Sequence, residues 1–421
     1  MSDSPRIQRL PETKSSMTII PILSANRFLR GIAQGFLIVW FLPDLHLLGW
    51  SPVNAGIALS SGLLFDFLLT LAIGRIADRR RGIPILVSGE LLTMTPCLFF
   101  LWNHHPVWIW IAAALSGLGQ RSNGSPGPFT PAEQTTILKT IHLERLFSTV
   151  SSNLAAGLSG MAIGGLSGAF LPHGMKIFPL ENLKGLLLLM IASSLLNIFL
   201  LRKAGVLEET KIKGRSVDHP NSPLLPGEKK SLLLLATSNA LFGLSMGITD
   251  PSISYWFMLR FQMGPQTISL VLGISFLAAA LFSALLARKH HHSHLLRATV
   301  LLQFLAVISL FLMPLPSSFG WACALFTLRF ACLRGPGGIR QALAGQLVRP
   351  EHAGWAQSIH LSSLGVAAVF GPALAGLFWK KGMVNTPLYM GAAFGVLSLI
   401  LFLILYRTSV MRPPSASLPS P

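Results

Sequence analysis

The stretch GRIADRRRG, Gly74 to Gly82, stands between two apolar runs that are each long enough to cross a bilayer. Its Asp and arginines cannot rest in hydrocarbon, where either residue at the centre of a span costs about 2.5–3.5 kcal/mol. The segment therefore reads as a short, charged turn in water, and it sets the register of the chain on both sides. Gly74 lets two helices approach closely, Asp78 suits a helix end, and the arginines suit an anionic lipid surface. Composition agrees: the chain has 421 residues, 51% hydrophobic and 11% charged, with a mean hydropathy of +0.59. That is too much apolar surface for a soluble fold and reads as a polytopic membrane protein. A net charge of +18 would point to nucleic acid in a soluble protein, but here the cations gather in short loops, as membrane topology requires. No nucleic-acid partner is expected. Cys97, Cys323 and Cys332 sit in apolar segments without ligand spacing, so neither a disulfide framework nor a zinc site is expected. The polar start, MSDSPRIQRLPETKSS, is followed by an apolar run containing Asn26, Arg27 and Arg30, which does not read as a signal peptide.

Working outward from the turn, the apolar runs count to twelve helices: 20–43, 52–74, 83–102, 106–138, 146–171, 184–203, 231–257, 266–288, 295–314, 318–346, 353–379 and 385–407. The expected fold is an all-α polytopic bundle in two six-helix halves. The N-terminal tail is 1–19, the first bundle 20–203, the polar linker 204–230, the second bundle 231–408 and the C-terminal tail 409–421. Lys and Arg concentrate on the side that holds both tails, the Gly74–Gly82 turn and the linker; the other side carries few, such as Lys184 and Arg260. Both termini are therefore expected to be cytoplasmic, in an inner membrane.

An internal repeat supports two halves. A shift of about 207 residues places Gln134 on Gln341, Glu144 on Glu351, Ser151 on Ser358 and Gly164 on Gly371, and one of about 212 places Gly31 on Gly243 and Gly35 on Gly247. Two similar shifts over different helices are what a duplicated six-helix unit with small insertions leaves behind.

On these residues the chain resembles the major facilitator superfamily of secondary transporters. Gly74, Asp78 and Arg79 match that family's loop between helices two and three, G-x-x-x-D-R-x-G-R-R; Arg81 stands at the second Gly and Gly82 follows one place late. Arg121, ahead of GSPGPFTPAEQ, looks like the helix-four arginine motif, and Glu144 with Arg145 like the acidic-basic loop after it. Helix five, with Gly160, Gly164, Gly165, Gly168 and Ala169, is similar to the antiporter signature G-x-x-x-G-P-x-x-G-G, with Gly165 in the place of proline and Ala169 in that of the last Gly. Small residues packing one helix on another explain these glycines equally well. The resemblance implies a central cavity near the bilayer midplane, lined mainly by the first and fourth helices of each half, and a gate formed by Gly74, Asp78, Arg79, Glu144 and Arg145.

Ionisable residues inside spans need a partner, water or a function. Arg27 and Arg30 share a helix face, with Gln34 on the same helix; they either snorkel to the surface or touch substrate. Arg121 lies about 22 Å along its span at 1.5 Å per residue, which favours a cavity role or a buried ion pair. Arg329 and Arg334 are five apart, so one of them is expected to reach the cavity. Asp66, within LLFDFLL, is either a proton carrier or a structural partner; Asp250, before Pro251, either lines the cavity or ends its span. Glu90 and Glu133 are expected to meet the gate loops, and His360 to be a packed histidine. The cluster His290, His291, His292 and His294 reads as a basic solvated loop rather than a metal site.

The leading expectation is an alternating-access transporter, proton-coupled and exporting a small organic solute, with Asp66 and Arg121 as coupling candidates. Cations outnumber carboxylates among the cavity candidates, which keeps open organic-anion uptake or exchange. A non-transporting membrane sensor is the reading from another class. No HExxH, GxSxG or GxxxxGK[ST] stretch is present, so neither an enzyme nor direct ATP coupling is expected, and no cofactor or metal. The expected partners are a small-molecule substrate, membrane lipid and a proton or other ion gradient, with a monomer compatible with the sequence.

Overall fold

The computed structural model describes residues 14–79, 81–102, 106–116, 124–141, 143–170, 179–211, 225–288, 292–336, 347–348 and 353–410. Within the first half, α1 is Lys14–Leu47, α2 Pro52–Arg79, α3 Gly82–Trp102, α4 Pro106–Ser116, α5 Thr130–Thr140 (after a 3₁₀ turn at Gly127–Phe129), α6 Leu143–Ala169 and α7 Pro179–Lys211. The second half holds α8 Pro226–Thr249, α9 Ile253–Phe261, α10 Pro265–Ala287, α11 His292–Leu312, α12 Phe319–Arg334, α13 Ala353–Ala368, α14 Gly371–Lys380 and α15 Thr386–Val410. Among the described residues there is no strand. With α4 and α5, α8 and α9, and α13 and α14 each taken as one broken crossing, the fifteen described α-helices amount to twelve. Eight of them contain helices long and apolar enough to span a membrane, including Pro265–Ala287 and Thr386–Leu405.

Several boundaries differ from the sequence reading, and each difference has a local cause. Gly74–Gly82 is not an open loop: α2 continues to Arg79 and α3 begins at Gly82. Arg and Ala propagate a helix readily, and a helix leaving the membrane keeps its backbone bonded in water. Around the linker, α7 runs on to Lys211 and α8 starts at Pro226. Pro226 supplies a pre-set first helical residue, and the Leu225 N–H donates to the Glu228 carboxylate at 2.8 Å, which caps that start.

The repeat offsets reappear as matched contacts. A Cβ on Gly31 would collide with the Gly157 carbonyl oxygen and one on Gly35 with Met161, while in the second half Gly243 meets Leu364 and Gly247 meets Ala368. Adding 212 to 31 and 35 and 207 to 157 and 161 gives these second-half residues. Thus α1 on α6 and α8 on α13 are equivalent close approaches, made possible by the missing side chains.

The halves meet along two seams. On one, Gly165 and Gly273 bring α6 and α10 together, a Cβ on Gly165 falling 2.9 Å from the Gly273 Cα, and Ser283 Oγ donates to the Ser151 carbonyl at 3.1 Å. On the other, Gly56 lies against Pro372, Gly376 against Pro52, and the Ala373 N–H donates to Ser60 Oγ at 3.1 Å. The end of the bundle opposite the termini, the far end, is filled by aromatics: Tyr255 Oη lies 3.4 Å from His46 Nδ1, the Tyr255 and Trp379 rings are 5.0 Å apart, and Trp256, Phe257, Phe261, Phe319 and Phe326 form an edge-to-face cluster beside them.

Candidate functional site

Between the halves lies a cavity of about 280 Å³. It is bounded by Arg27 of α1, Asp66 and Thr70 of α2, Ser125 and Thr130 beside the break before α5, Asp250 at the end of α8, and Arg334 at the end of α12. Phe67, Met246, Leu361 and Leu364 supply apolar surface. The break in the fourth crossing follows from its sequence. Gly124 and Gly127 take left-handed backbone angles, with φ of +65° and +60°, and Pro126 and Pro128 have no N–H to give to a helix.

Two side chains of α1 bind the exposed carbonyls of this break. Arg30 Nη1 donates to Gly124 O at 3.3 Å and Gln34 Nε2 to Ser125 O at 2.9 Å. Such irregular backbone is tolerated inside a membrane protein only where protein or a water-lined cavity satisfies it. The same arginine is ion-paired with Glu90 of α3, and Asn197 of α7 donates to that carboxylate at 3.2 Å. Arg27 pairs with Glu133 of α5 at 3.2 Å, and Asn153 of α6 donates to Glu133 at 3.2 Å. All four charged groups are buried. Arg27 and Arg30 therefore neither snorkel nor stand bare in the cavity: each is matched one-to-one by a carboxylate, and Arg30 and Gln34 belong to the wall rather than the lining. Glu90 and Glu133, expected at the gate loops, are instead the buried partners.

In the second half two of the equivalent places carry an amide and an imidazole. The offsets take Arg27 to Asn239 and Asn153 to His360, and the Asn239 amide and His360 Nδ1 are 2.8 Å apart. Charge gathers instead at the Asp250–Pro251 break. Asp250 Oδ1 accepts from Arg329 Nη2 at 2.7 Å and Oδ2 from Arg334 Nη2 at 2.7 Å, while Arg329 also donates to Thr249 Oγ1 at 2.8 Å. Arg334 lines the cavity and Arg329 lies behind it, so both arginines of α12 reach one carboxylate despite their spacing. Asp66 is half-buried on the α2 wall, and its backbone carbonyl accepts Thr70 Oγ1 at 2.7 Å.

Arg121 lies outside the described residues. Gly74, Asp78 and Arg79 fall in the last turns of α2 and Glu144 in the first turn of α6, with their side chains outside the described set; Arg145 is exposed. The His290–His294 side chains also lie outside it, and among the described residues no group of three or more His, Cys, Asp or Glu converges as a metal site would. The sequence reading missed Thr70, Ser125 and Thr130 in the lining and Asn153 and Asn197 behind it. The signal for the two asparagines was the pair of acids in spans, each of which needed donors.

The family profile described as Major Facilitator Superfamily matches residues 23–339, the first half and the second as far as α12. The chain belongs to the major facilitator superfamily. Among solved members of this transporter fold, the human organic anion transporter MFSD10 (TETRAN) superposes with a TM-score of 0.68 at 15% identity, covering 94% of this chain and 100% of that one. A bacterial homologue of the human lysosomal transporter Spinster, inward-facing and unoccupied, gives 0.66 at 13% identity, with 96% and 100% covered. By sequence, the chain is similar to the multidrug resistance protein MdtH of Cronobacter sakazakii, 30% identical over 140 residues, which are 32% of this chain and 33% of that one. MdtH of Yersinia enterocolitica is 29% identical over 143 residues, 33% and 34% of the two chains. The match thus spans about a third of these relatives' length.

Proposed function

We propose that this superfamily transporter exports a small organic solute by proton-coupled alternating access. The observation that carries the reading is the cavity between the halves, whose lining brings Asp66 of α2 together with Arg27 of α1 and Arg334 of α12. A carboxyl group in an apolar wall beside a cavity has the position from which a proton and a solute are exchanged against one another. The multidrug resistance names of the partial relatives support export as the direction. Closure of the far end by His46, Tyr255 and Trp379 fits a state in which the cavity communicates with the terminal side. Both termini are assigned to the cytoplasm from the Lys/Arg asymmetry, and the Gly74–Gly82 region, with Glu144 and Arg145, serves as the latch on that face.

The test is solute-driven proton flux in proteoliposomes loaded with a pH-sensitive dye, screened with mixed metabolites and lipophilic compounds. Asp66→Asn is expected to abolish proton flux driven by the solute while solute exchange persists. Full proton coupling in that variant would remove Asp66 from the mechanism.

A further inference from the structure

Among the described residues, the cavity wall contains a cluster whose charges do not balance. In the first half each buried arginine among the described residues has its own carboxylate, Arg27 with Glu133 and Arg30 with Glu90. At the end of α8, two guanidinium groups share the single carboxylate of Asp250, each at 2.7 Å. Arg329 is 2% exposed, and its Nη1 is buried with no hydrogen-bond partner among the described residues; the same holds for Arg334 Nε. Both oxygens of Asp250 are already used, and the Thr249 hydroxyl and the Phe330 ring, whose centre lies 5.6 Å from the Arg334 guanidinium carbon, are further described neighbours. A buried cation in excess, with N–H groups left over, favours an anion that brings acceptor oxygens. Arg334, Asp250 and Pro251 all line the cavity, so the cluster is reached from the place where a solute sits.

From this two-to-one arrangement we infer that the Arg329–Asp250–Arg334 cluster is a subsite for a carboxylate group of the transported solute. The inference rests on the transport reading above and narrows its substrate class to carboxylate-bearing molecules. An incoming carboxylate takes a guanidinium N–H of Arg334 and turns a cluster of net charge +1 neutral, with no bond made or broken covalently. The planar fork of Arg suits a carboxylate, and Phe330 keeps the guanidinium plane in place. Among the described residues neither Arg27 nor Arg30 has a buried N–H left unpaired, so the described subsite lies in the second half.

The test uses the full chain in detergent and two probes of one shape, benzoate and its neutral amide, benzamide, titrated at millimolar concentration by isothermal calorimetry. Benzoate is expected to bind about tenfold more tightly than benzamide. Arg334→Gln is expected to erase that difference and leave benzamide unchanged, and Arg334→Lys, which keeps the charge without the fork, to restore part of it. Equal affinities in the wild type, no binding of either probe, or a benzoate preference that survives Arg334→Gln would each overturn the assignment. The wild-type comparison decides the first point even if the variants do not fold. Selective benzoate binding without any proton-linked flux would leave the subsite standing and sink the transport reading; flux without carboxylate preference would do the reverse.

Discussion

Glu90 Oε1 receives three donor atoms, two from Arg30 and one from Asn197, and so holds α1, α3 and α7 together at one point. Removing one partner of a buried pair strands the other charge, at about 3–5 kcal/mol. In the second half, Ser238 of α8, Gln303 of α11 and Ser398 of α15 are joined by neutral hydrogen bonds, each worth about 1 kcal/mol net. Glu90→Gln is therefore expected to lower the thermal midpoint of the detergent-purified protein several times more than Ser398→Ala. Equal shifts would show that the Arg30 charge is not held as the structure has it. At this scale the sequence was half legible. That Arg27, Arg30 and the acids in spans needed partners followed from hydrocarbon energetics alone. Which partners they take did not, because Arg30 and Glu90 are 60 residues apart and Arg27 and Glu133 are 106 apart, and only the packed bundle brings them together.

At the scale of elements, the three broken crossings do the shaping. Pro251 and Pro372 each remove a backbone donor, and α8 gives way to α9 and α13 to α14 beside them. The sequence showed the Gly/Pro stretch of the fourth crossing and the interruption at Asp250, but it carried residues 353–379 as one helix through the Gly371–Pro372 pair. Gly124 is a tightly constrained position of the fourth-crossing break. Its φ is +65°, and a Cβ there would fall 2.5 Å from the Arg27 carbonyl oxygen and 2.6 Å from the Gly157 Cα. A left-handed residue with a side chain costs about 1–2 kcal/mol before any collision is counted. Gly124→Ala is thus expected to destabilise the bundle by more than that amount and to reduce transport; wild-type unfolding and flux would mean that the break is not held in this geometry. The glycine seams, by contrast, were readable from spacing: the pairs separated by 212 residues meet partners separated by 207, because duplicated helices kept their packing while the connections between them changed length.

For the whole molecule, the composition and the count of apolar runs gave a polytopic helical bundle, and the repeat gave its two halves; neither gave the cavity, which arises where the walls of α2, α8 and α13 leave space that no single helix records. The account's central claim is that the halves rock about this cavity, opening one end as the other closes. The direct measurement is a pair of electron–electron spin distances in a background with Cys97, Cys323 and Cys332 replaced by alanine. One pair of labels is placed at Leu47 and Met383, both exposed at the far end, and the other at Arg81 and Arg288, exposed at the terminal end. Shifting the reconstituted protein between acidic and alkaline buffer is predicted to lengthen one distance while shortening the other. Distances that both stay fixed, or that lengthen together, would contradict alternating access in this protein.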